Sequence, residues 1–154
     1  MAPPNWPSRI LLVCMGNICR SPTAEGVLRQ LAKLNGAEIE FDSAGTENYH
    51  LGSPPDPRSI HHAKLRGYDL SPLRARQVEL SDFAHYDIIL AADEINLRAL
   101  RPQCPAVHQH KLILFLGTEA LPDPYYGEAA DFEKVLDLVE IRAKYLLTSW
   151  QRGN

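Results

Sequence analysis

The chain has 154 residues, of which 45% are hydrophobic and 23% are charged, and its formal net charge is −3. This size and composition are typical of one globular domain with a hydrophobic core; they give no reason to expect a nucleic-acid partner, and no apolar run approaches the length of a membrane span. The three cysteines, two of them only five positions apart, do not form a secreted disulfide framework, so we expect a protein of the reducing cytoplasm.

The chain is predicted to begin with a flexible tail, residues 1–7, followed by one domain, residues 8–154. The first unit of that domain is a strand, a loop and a helix. The apolar run 10–13, with its β-branched members, is typical of a buried strand. Ser21-Pro22 fits the N-cap and first position of a helix, and Asn35-Gly36 fits its end.

Strands and helices alternate along the rest of the chain. Apolar runs predict further strands over residues 39–42, 86–91 and 111–115, whereas helices are predicted over residues 57–66, 80–84, 94–100 and 132–150. The proline-rich segment 47–56 is predicted to be a loop. This alternation predicts an α/β fold, in which a four-stranded parallel sheet has helices on both faces and carries its site at the carboxyl ends of the strands.

The segment 14–20, which we call the anion loop, joins the first strand to the first helix. Its N–H groups and the helix N-terminus converge on one point, where the helix dipole favours negative charge. Arg20 adds a planar fork of donors that fits two phosphate oxygens. The same surroundings favour the thiolate form of Cys14, which is the nucleophilic form. The pattern predicts a phosphate-binding loop with a nucleophilic cysteine.

Two segments together resemble the signature of the low-molecular-weight protein tyrosine phosphatases. They are Val13-Cys14-Met15-Gly16-Asn17-Ile18-Cys19-Arg20-Ser21-Pro22 and Asp123-Pro124-Tyr125-Tyr126-Gly127. The resemblance covers nearly the whole chain and implies the strand order 2-1-3-4. It also implies hydrolysis of aryl phosphate monoesters through a cysteinyl-phosphate, with no metal or cofactor. The implied partners are phosphotyrosine proteins, with a tyrosine kinase to supply them, and we expect a monomer.

The implied catalytic residues are Cys14 as nucleophile, Arg20 as holder of the phosphate oxygens and Asp123 as general acid and then base. Substrate binding is expected from the loop residues Met15, Gly16, Asn17, Ile18, Cys19 and Ser21 and from the aromatic residues Tyr49 and Tyr125, with Ser43 in support.

Several of these residues have a plainer interpretation that the sequence leaves open. Ser21 is a helix N-cap, a hydrogen-bond donor to the thiolate, or both, and Asn17 either pairs with Ser43 or forms a local turn. Cys19 is either a small buried residue or a thiol that forms a reversible disulfide with Cys14. His50 either lines the cleft or packs within its own loop, and the prolines around it favour loop packing.

Related sequences usually have a histidine near Leu73 that forms a hydrogen bond toward the loop asparagine. We therefore expect the bracing of Asn17 to be incomplete here, or to be completed by water or another residue.

Three alternative functions remain. An arsenate reductase on the same loop needs a relay of further cysteines, and Cys104 stands alone downstream. A protein-arginine phosphatase resembles this chain, but a threonine occupies the position of Ile18 in that group. A redox-sensing or phosphate-binding module without turnover is the third alternative, although Cys14, Arg20 and Asp123 are all present.

Overall fold

The computed structural model describes residues 5–153, which form an α/β fold with a single four-stranded sheet. The strands are β1 (Arg9–Cys14), β2 (Glu40–Gly45), β3 (Ile88–Ala91) and β4 (Leu112–Leu114). The helices are α1 (Arg20–Leu34), α2 (Pro57–Leu65), α3 (Leu80–His85), α4 (Glu94–Leu100) and α5 (Ala129–Gln151), with a 3₁₀ helix over Ala106–Lys111.

The sheet is parallel throughout, in the order β2-β1-β3-β4, as predicted. In the register, Val13 of β1 is level with Ala44 of β2 and with Ala91 of β3. The carboxyl ends of these three strands therefore meet at one edge of the sheet, where sites of open α/β sheets are found.

Helices cover both faces, and β1 supplies side chains to both layers. Ile10, Leu12 and Cys14 lie in the core shared with α1 and α5, whereas Leu11 and Val13 lie in the core shared with α3 and α4. This alternation follows from the two-residue period of a strand. It places Cys14, the last residue of β1 and the first of the anion loop, on the α1 side of the sheet.

The start of α1 differs from the prediction. The helix begins at Arg20, and Cys19 occupies the cap position without a side-chain hydrogen bond. Ser21 is therefore a helical residue, and its hydroxyl lies 3.0 Å from Cys14 Sγ. The N-cap interpretation of Ser21 was wrong, because this hydroxyl bonds to side chains of the anion loop and not to helix N–H groups.

All four strands have other bounds than predicted. β1 extends one residue further at each end than the predicted 10–13, and β3 begins at Ile88, two residues later than predicted. β2 continues to Gly45, since it stays paired with β1 as far as Cys14; the Gly45 N–H also donates to the Arg76 carbonyl at 2.7 Å, and the Gly45 carbonyl accepts from Val78 at 2.9 Å. β4 has only three residues, because the 3₁₀ helix precedes it.

The helix α5 agrees with its predicted apolar stripe. All eight of its buried residues belong to that stripe: Phe132, Val135, Leu136, Val139, Ala143, Leu146, Leu147 and Trp150. Helical spacing places these side chains on one face, which packs against α1 and α2.

Residues 1–4 of the predicted tail lie outside the described residues. Trp6, also within that predicted tail, is partly buried and packs against the core. Between residues 5 and 153, no helix has the length and apolarity to cross a membrane.

Candidate active site

The anion loop curls around its own N–H groups. Asn17 has a φ of 58°, a left-handed conformation that asparagine tolerates better than most residues. The carbonyls of Cys14 and Met15 accept hydrogen bonds from Thr46 at 2.9 Å and from Glu47 at 3.0 Å. Within the described residues, the backbone N–H groups of residues 15–20 donate to no protein acceptor. With the carbonyls bound outside, these N–H groups are free to bind an anion.

Gly45 allows this curl because it has no side chain. A Cβ at this position would stand 2.7 Å from the Met15 carbonyl oxygen and 3.0 Å from the Glu47 carbonyl oxygen. The end of β2 can approach the anion loop so closely only with glycine there.

A chain of buried hydrogen bonds leads to Cys14. The Arg76 N–H donates to Asn17 Oδ1 at 3.1 Å, which fixes the orientation of the amide. Asn17 Nδ2 then donates to Ser43 Oγ at 2.9 Å and to Ser21 Oγ at 2.7 Å. Because the Ser21 oxygen accepts from Asn17, its own proton is directed to Cys14 Sγ at 3.0 Å. The geometry thus supplies a donor to the sulfur.

At its other end, this series of hydrogen bonds reaches a buried carboxyl group. Ser43 donates to Glu25 at 2.6 Å, and Glu25 is only 1% exposed. Burial raises the pKa of Glu25, whereas the hydrogen bond from Ser43 and the charge of Arg29 act to lower it. Leu73, near the position of the usual histidine, packs against the core, and the backbone of Arg76 completes the bracing of Asn17.

Arg20 is buried beneath the anion loop, with 4% of its surface exposed. Its Nη1 donates to Asp93 Oδ2 at 2.7 Å and to the Leu121 carbonyl at 3.0 Å, and its Nη2 lies 3.7 Å from Asp123 Oδ2. Burial alone would lower the pKa of Arg20, but Cys14, Asp93 and Asp123 more than offset this effect, so the pKa is raised above its ordinary value. The guanidinium therefore keeps its charge and is held in one orientation.

Asp93 belongs to the site, although it was not among the site residues predicted from the sequence. It does cap α4, since its Oδ1 accepts from the Asn96 N–H at 2.8 Å. Its other oxygen binds Arg20. An aspartate directly after the carboxyl end of β3 was the available signal, because that end lies beside the end of β1.

A cavity of about 270 Å³ opens above Cys14. Its walls include most of the predicted residues: Cys14, Met15, Gly16, Ile18, Cys19, Arg20, Tyr49, Asp123 and Tyr125. Asn17, Ser21 and Ser43 are not among the lining residues; they are buried and hydrogen-bonded to each other.

Two further aromatic residues line this cavity. His50, expected to pack within its loop, stands so close to Gly16 that a Cβ there would be 3.0 Å from its ring. Tyr126 is 96% exposed at the rim, and its ring meets the Tyr125 ring edge to face, with the centroids 4.9 Å apart. The cavity therefore has polar groups at its base and aromatic rings around its mouth.

The three cysteines are free thiols with different surroundings. Burial raises the pKa of Cys19 to about 12, and the hydroxyl of Ser59 acts to lower it. Cys104 lies in the core on the other face of the sheet from Cys14. In the part of the chain that the structure describes, no group of three or more His, Cys, Asp or Glu side chains is placed to hold a metal ion.

The fold and the site define the class of protein. It is a parallel α/β protein whose site lies at the carboxyl edge of the sheet, in the loop between the first strand and the first helix. A cysteine and an arginine stand at the two ends of that loop, and an aspartate lines the same cavity, 3.7 Å from the arginine.

Comparison with known proteins narrows this class. The sequence profile named low molecular weight phosphotyrosine protein phosphatase matches residues 9–154. A protein of that name from Homo sapiens is 42% identical over 135 residues, which are 82% of this chain and 85% of the human protein. Another from Schizosaccharomyces pombe is 39% identical over 149 residues, which are 90% of this chain and 94% of the yeast protein.

A solved structure agrees with these relatives. The crystal structure of a protein tyrosine phosphatase from Entamoeba histolytica, with Hepes in its active site, matches with a TM-score of 0.91 at 35% identity. The match covers 95% of this chain and 98% of the other. The chain belongs to the low molecular weight phosphotyrosine protein phosphatase family.

Proposed function

We propose that this protein is a protein-tyrosine phosphatase that hydrolyses aryl phosphate monoesters through a cysteinyl-phosphate on Cys14. One observation carries the proposal. Cys14, Arg20 and Asp123 line one cavity, Asp123 lies 3.7 Å from Arg20, and the N–H groups of residues 15–20 have no protein acceptor among the described residues. The reaction needs all three components in one place.

In the first step, the Cys14 thiolate attacks phosphorus in line with the ester oxygen. The sulfur–phosphorus bond forms and the phosphorus–oxygen bond to the alcohol breaks. Arg20 and the loop N–H groups bind the three equatorial oxygens, over which the transition-state charge spreads. Asp123, in its protonated form, gives its proton to the leaving oxygen.

In the second step, water attacks the cysteinyl-phosphate from the side that the alcohol has left. Asp123, now a carboxylate, takes a proton from this water, and phosphate separates from the sulfur. The sulfur leaves as a thiolate, which the hydrogen bond from Ser21 stabilises.

The shape of the cavity supports an aromatic ester as substrate. Tyr49, His50 and Tyr125 offer ring surfaces around its mouth, and the side chain of Ile18 lies in its wall. These apolar surfaces fit a phenyl ring, whereas the polar base fits the phosphate group. We infer that phosphotyrosine proteins of the cytoplasm are the physiological substrates.

The position of Cys104 weighs against an arsenate reductase. A relay of oxidising equivalents requires further thiols, beyond the anion loop, that can reach the nucleophile. Cys104 is buried on the opposite face of the sheet, where its thiol lies 3.5 Å from the Pro105 carbonyl.

The test is turnover of p-nitrophenyl phosphate without added metal, comparing the wild type with Cys14→Ser and with the matched control Cys104→Ser. We expect the Cys14 variant to lose all measurable turnover and the control to keep it. Acid quenching of the wild type during turnover should trap one phosphate on the peptide that contains Cys14. Persistent activity in Cys14→Ser would contradict the assignment of the nucleophile.

A further inference from the structure

Asp123 is carried by a segment with no regular secondary structure, residues 122–127, which we call the 122–127 loop. Within it, the Tyr125 N–H donates to Asp123 Oδ1 at 3.1 Å, and the Gly127 N–H donates to the Pro124 carbonyl at 2.8 Å. These bonds shape the loop internally. One link to the anion loop is the ion pair of Asp123 with Arg20, whose Nη2–Oδ2 distance of 3.7 Å is too long for a hydrogen bond.

Arg58 makes the contact that these internal bonds do not provide. Its Nη2 donates to the Tyr125 carbonyl at 2.9 Å. Within residues 5–153, this is the one side-chain hydrogen bond that reaches the 122–127 loop from another element. The Arg58 guanidinium also lies over two aromatic rings, 4.6 Å from the Phe132 centroid and 5.7 Å from that of Tyr125.

Asp56 holds the other side of Arg58. The pair has two hydrogen bonds, Nε to Oδ1 at 3.0 Å and Nη2 to Oδ2 at 2.8 Å, so the guanidinium plane is fixed. The hydrogen bonds from Arg58 lower the pKa of Asp56, so its carboxylate stays ionised in the neutral range.

Asp56 in turn contacts the anion loop. Its backbone N–H donates to the Ile18 carbonyl at 2.8 Å, and its side chain caps α2 through the Arg58 N–H at 2.9 Å. A continuous path therefore runs from Ile18 through Asp56 and Arg58 to Tyr125, two residues after Asp123. It joins the segment that binds phosphate to the segment that carries the acid.

We propose that Arg58 is a positioning residue that sets the 122–127 loop at the distance from the anion loop at which Asp123 reaches the leaving oxygen. This inference rests on the proposed phosphatase function. Without Arg58 the anion loop keeps its own hydrogen bonds, but the Tyr125 carbonyl loses its partner and Asp123 is held less closely.

The test is the leaving-group dependence of kcat/KM, which reports the transfer to Cys14 and the departure of the alcohol. Phenyl phosphate needs the acid, whereas p-nitrophenyl phosphate has a much better leaving group and needs it less. For Arg58→Met we expect about a 10- to 100-fold loss with phenyl phosphate and less than about a 3-fold loss with p-nitrophenyl phosphate.

A second measurement separates positioning from general damage. In an Asp123→Asn background there is no proton donor to place, so Arg58→Met should add less than about a 2-fold loss with phenyl phosphate. Arg58→Lys keeps the charge without the two-point contact and should behave like Arg58→Met. It also serves as the test variant if Arg58→Met does not fold.

The matched control is Arg66→Met, at the other end of α2. Arg66 bonds to Glu133 and Glu140 of α5 and makes no contact with the 122–127 loop. We expect it to lower Tm without changing the ratio of the two substrates. Two results with an active wild type would overturn the inference and leave the phosphatase function standing. One is an equal loss of kcat/KM with both esters in the Arg58 variants; the other is that the losses from Arg58→Met and Asp123→Asn multiply in the double variant. A wild type inactive toward both esters contradicts the phosphatase function itself.

Discussion

Asn17 is the residue at which three segments of the chain meet. Its amide accepts from the backbone of Arg76 and donates to Ser43 and Ser21. Each of these hydrogen bonds fixes the direction of the next, because the Arg76 N–H can only donate. At the residue scale, the direction of the Ser21 hydroxyl toward the sulfur of Cys14 is therefore set by the backbone N–H of Arg76, in a distant segment of the chain.

This direction predicts the effect of Ser21→Ala. The variant loses the hydroxyl that donates to Cys14 Sγ, and a hydrogen bond to a charged group is worth about 1.5–3 kcal/mol. We expect a roughly 10- to 100-fold lower kcat with p-nitrophenyl phosphate. Steady-state kinetics of the purified variant measure this loss.

Ser59→Ala is the control for this prediction. Ser59 is a buried serine whose hydroxyl lies against Cys19, so its loss should leave kcat unchanged. Equal losses of kcat in the two variants would show that the direct contact of Ser21 with the sulfur is not what matters.

Single residues of the site differ in how far the sequence could reveal them. Cys14 and Arg20 belong to one contiguous motif, so their spacing could be interpreted without a fold. Asp93, His50 and the Arg76 N–H reach the site from separate segments. Their contribution depends on the strand register and on loop paths, and neither is encoded in local spacing.

At the scale of elements, the close contact between the end of β2 and the anion loop depends on Gly45. Replacement by alanine would place a Cβ 2.7 Å from the Met15 carbonyl oxygen and 3.0 Å from the Glu47 carbonyl oxygen, and both of these oxygens belong to the backbone. Neither can move without shifting the hydrogen bonds that curl the loop.

We therefore expect Gly45→Ala to destabilise the fold by about 1–3 kcal/mol and to lower kcat/KM by more than about 10-fold. Thermal unfolding and steady-state kinetics measure the two effects. The control is Gly67→Ala, where φ is +90° and the space around a Cβ is open, so backbone strain lowers Tm far from the site. Loss of activity in parallel with Tm in both variants would contradict a specific role of the Gly45 contact.

The elements also show why patterns predict some boundaries better than others. The stripe of α5 was found because eight buried residues follow one helical period. The extension of β2 to Gly45 was missed, because it depends on pairing with β1 and on hydrogen bonds to residues 76 and 78. The start of α1 was misplaced because Ser21 has the composition of a cap but bonds to Cys14 and Asn17 instead.

At the scale of the whole molecule, the buried carboxyl group of Glu25 links stability to pH. Burial raises the folded-state pKa of Glu25 above its unfolded value. Such a group contributes stability that is fully present below the unfolded pKa and is lost as pH rises through the folded pKa. The wild type should therefore lose this contribution on the alkaline side of about pH 4.3, the ordinary value for glutamate.

Glu25→Gln removes this titration. The difference in unfolding free energy between Glu25→Gln and the wild type should change in favour of the variant as pH rises from about 4 toward neutrality. Urea unfolding at a series of pH values measures it. Glu38→Gln, at an exposed position outside the core, serves as the control and should give a constant difference. A constant difference for Glu25→Gln as well would contradict the raised pKa.

The central place of β1 has a dynamic consequence. This strand is paired on both sides, and Ile10 to Cys14 are 3% exposed or less. Its amide protons can exchange with deuterium only when the sheet opens, so they should be among the slowest in the protein, whereas those of residues 122–127 should exchange early. We therefore expect the nucleophile to lie at the end of the slowest-exchanging strand of the protein and the proton donor to lie in a fast-exchanging loop. Movements that admit the substrate and release the product would then occur in the 122–127 loop and not in β1.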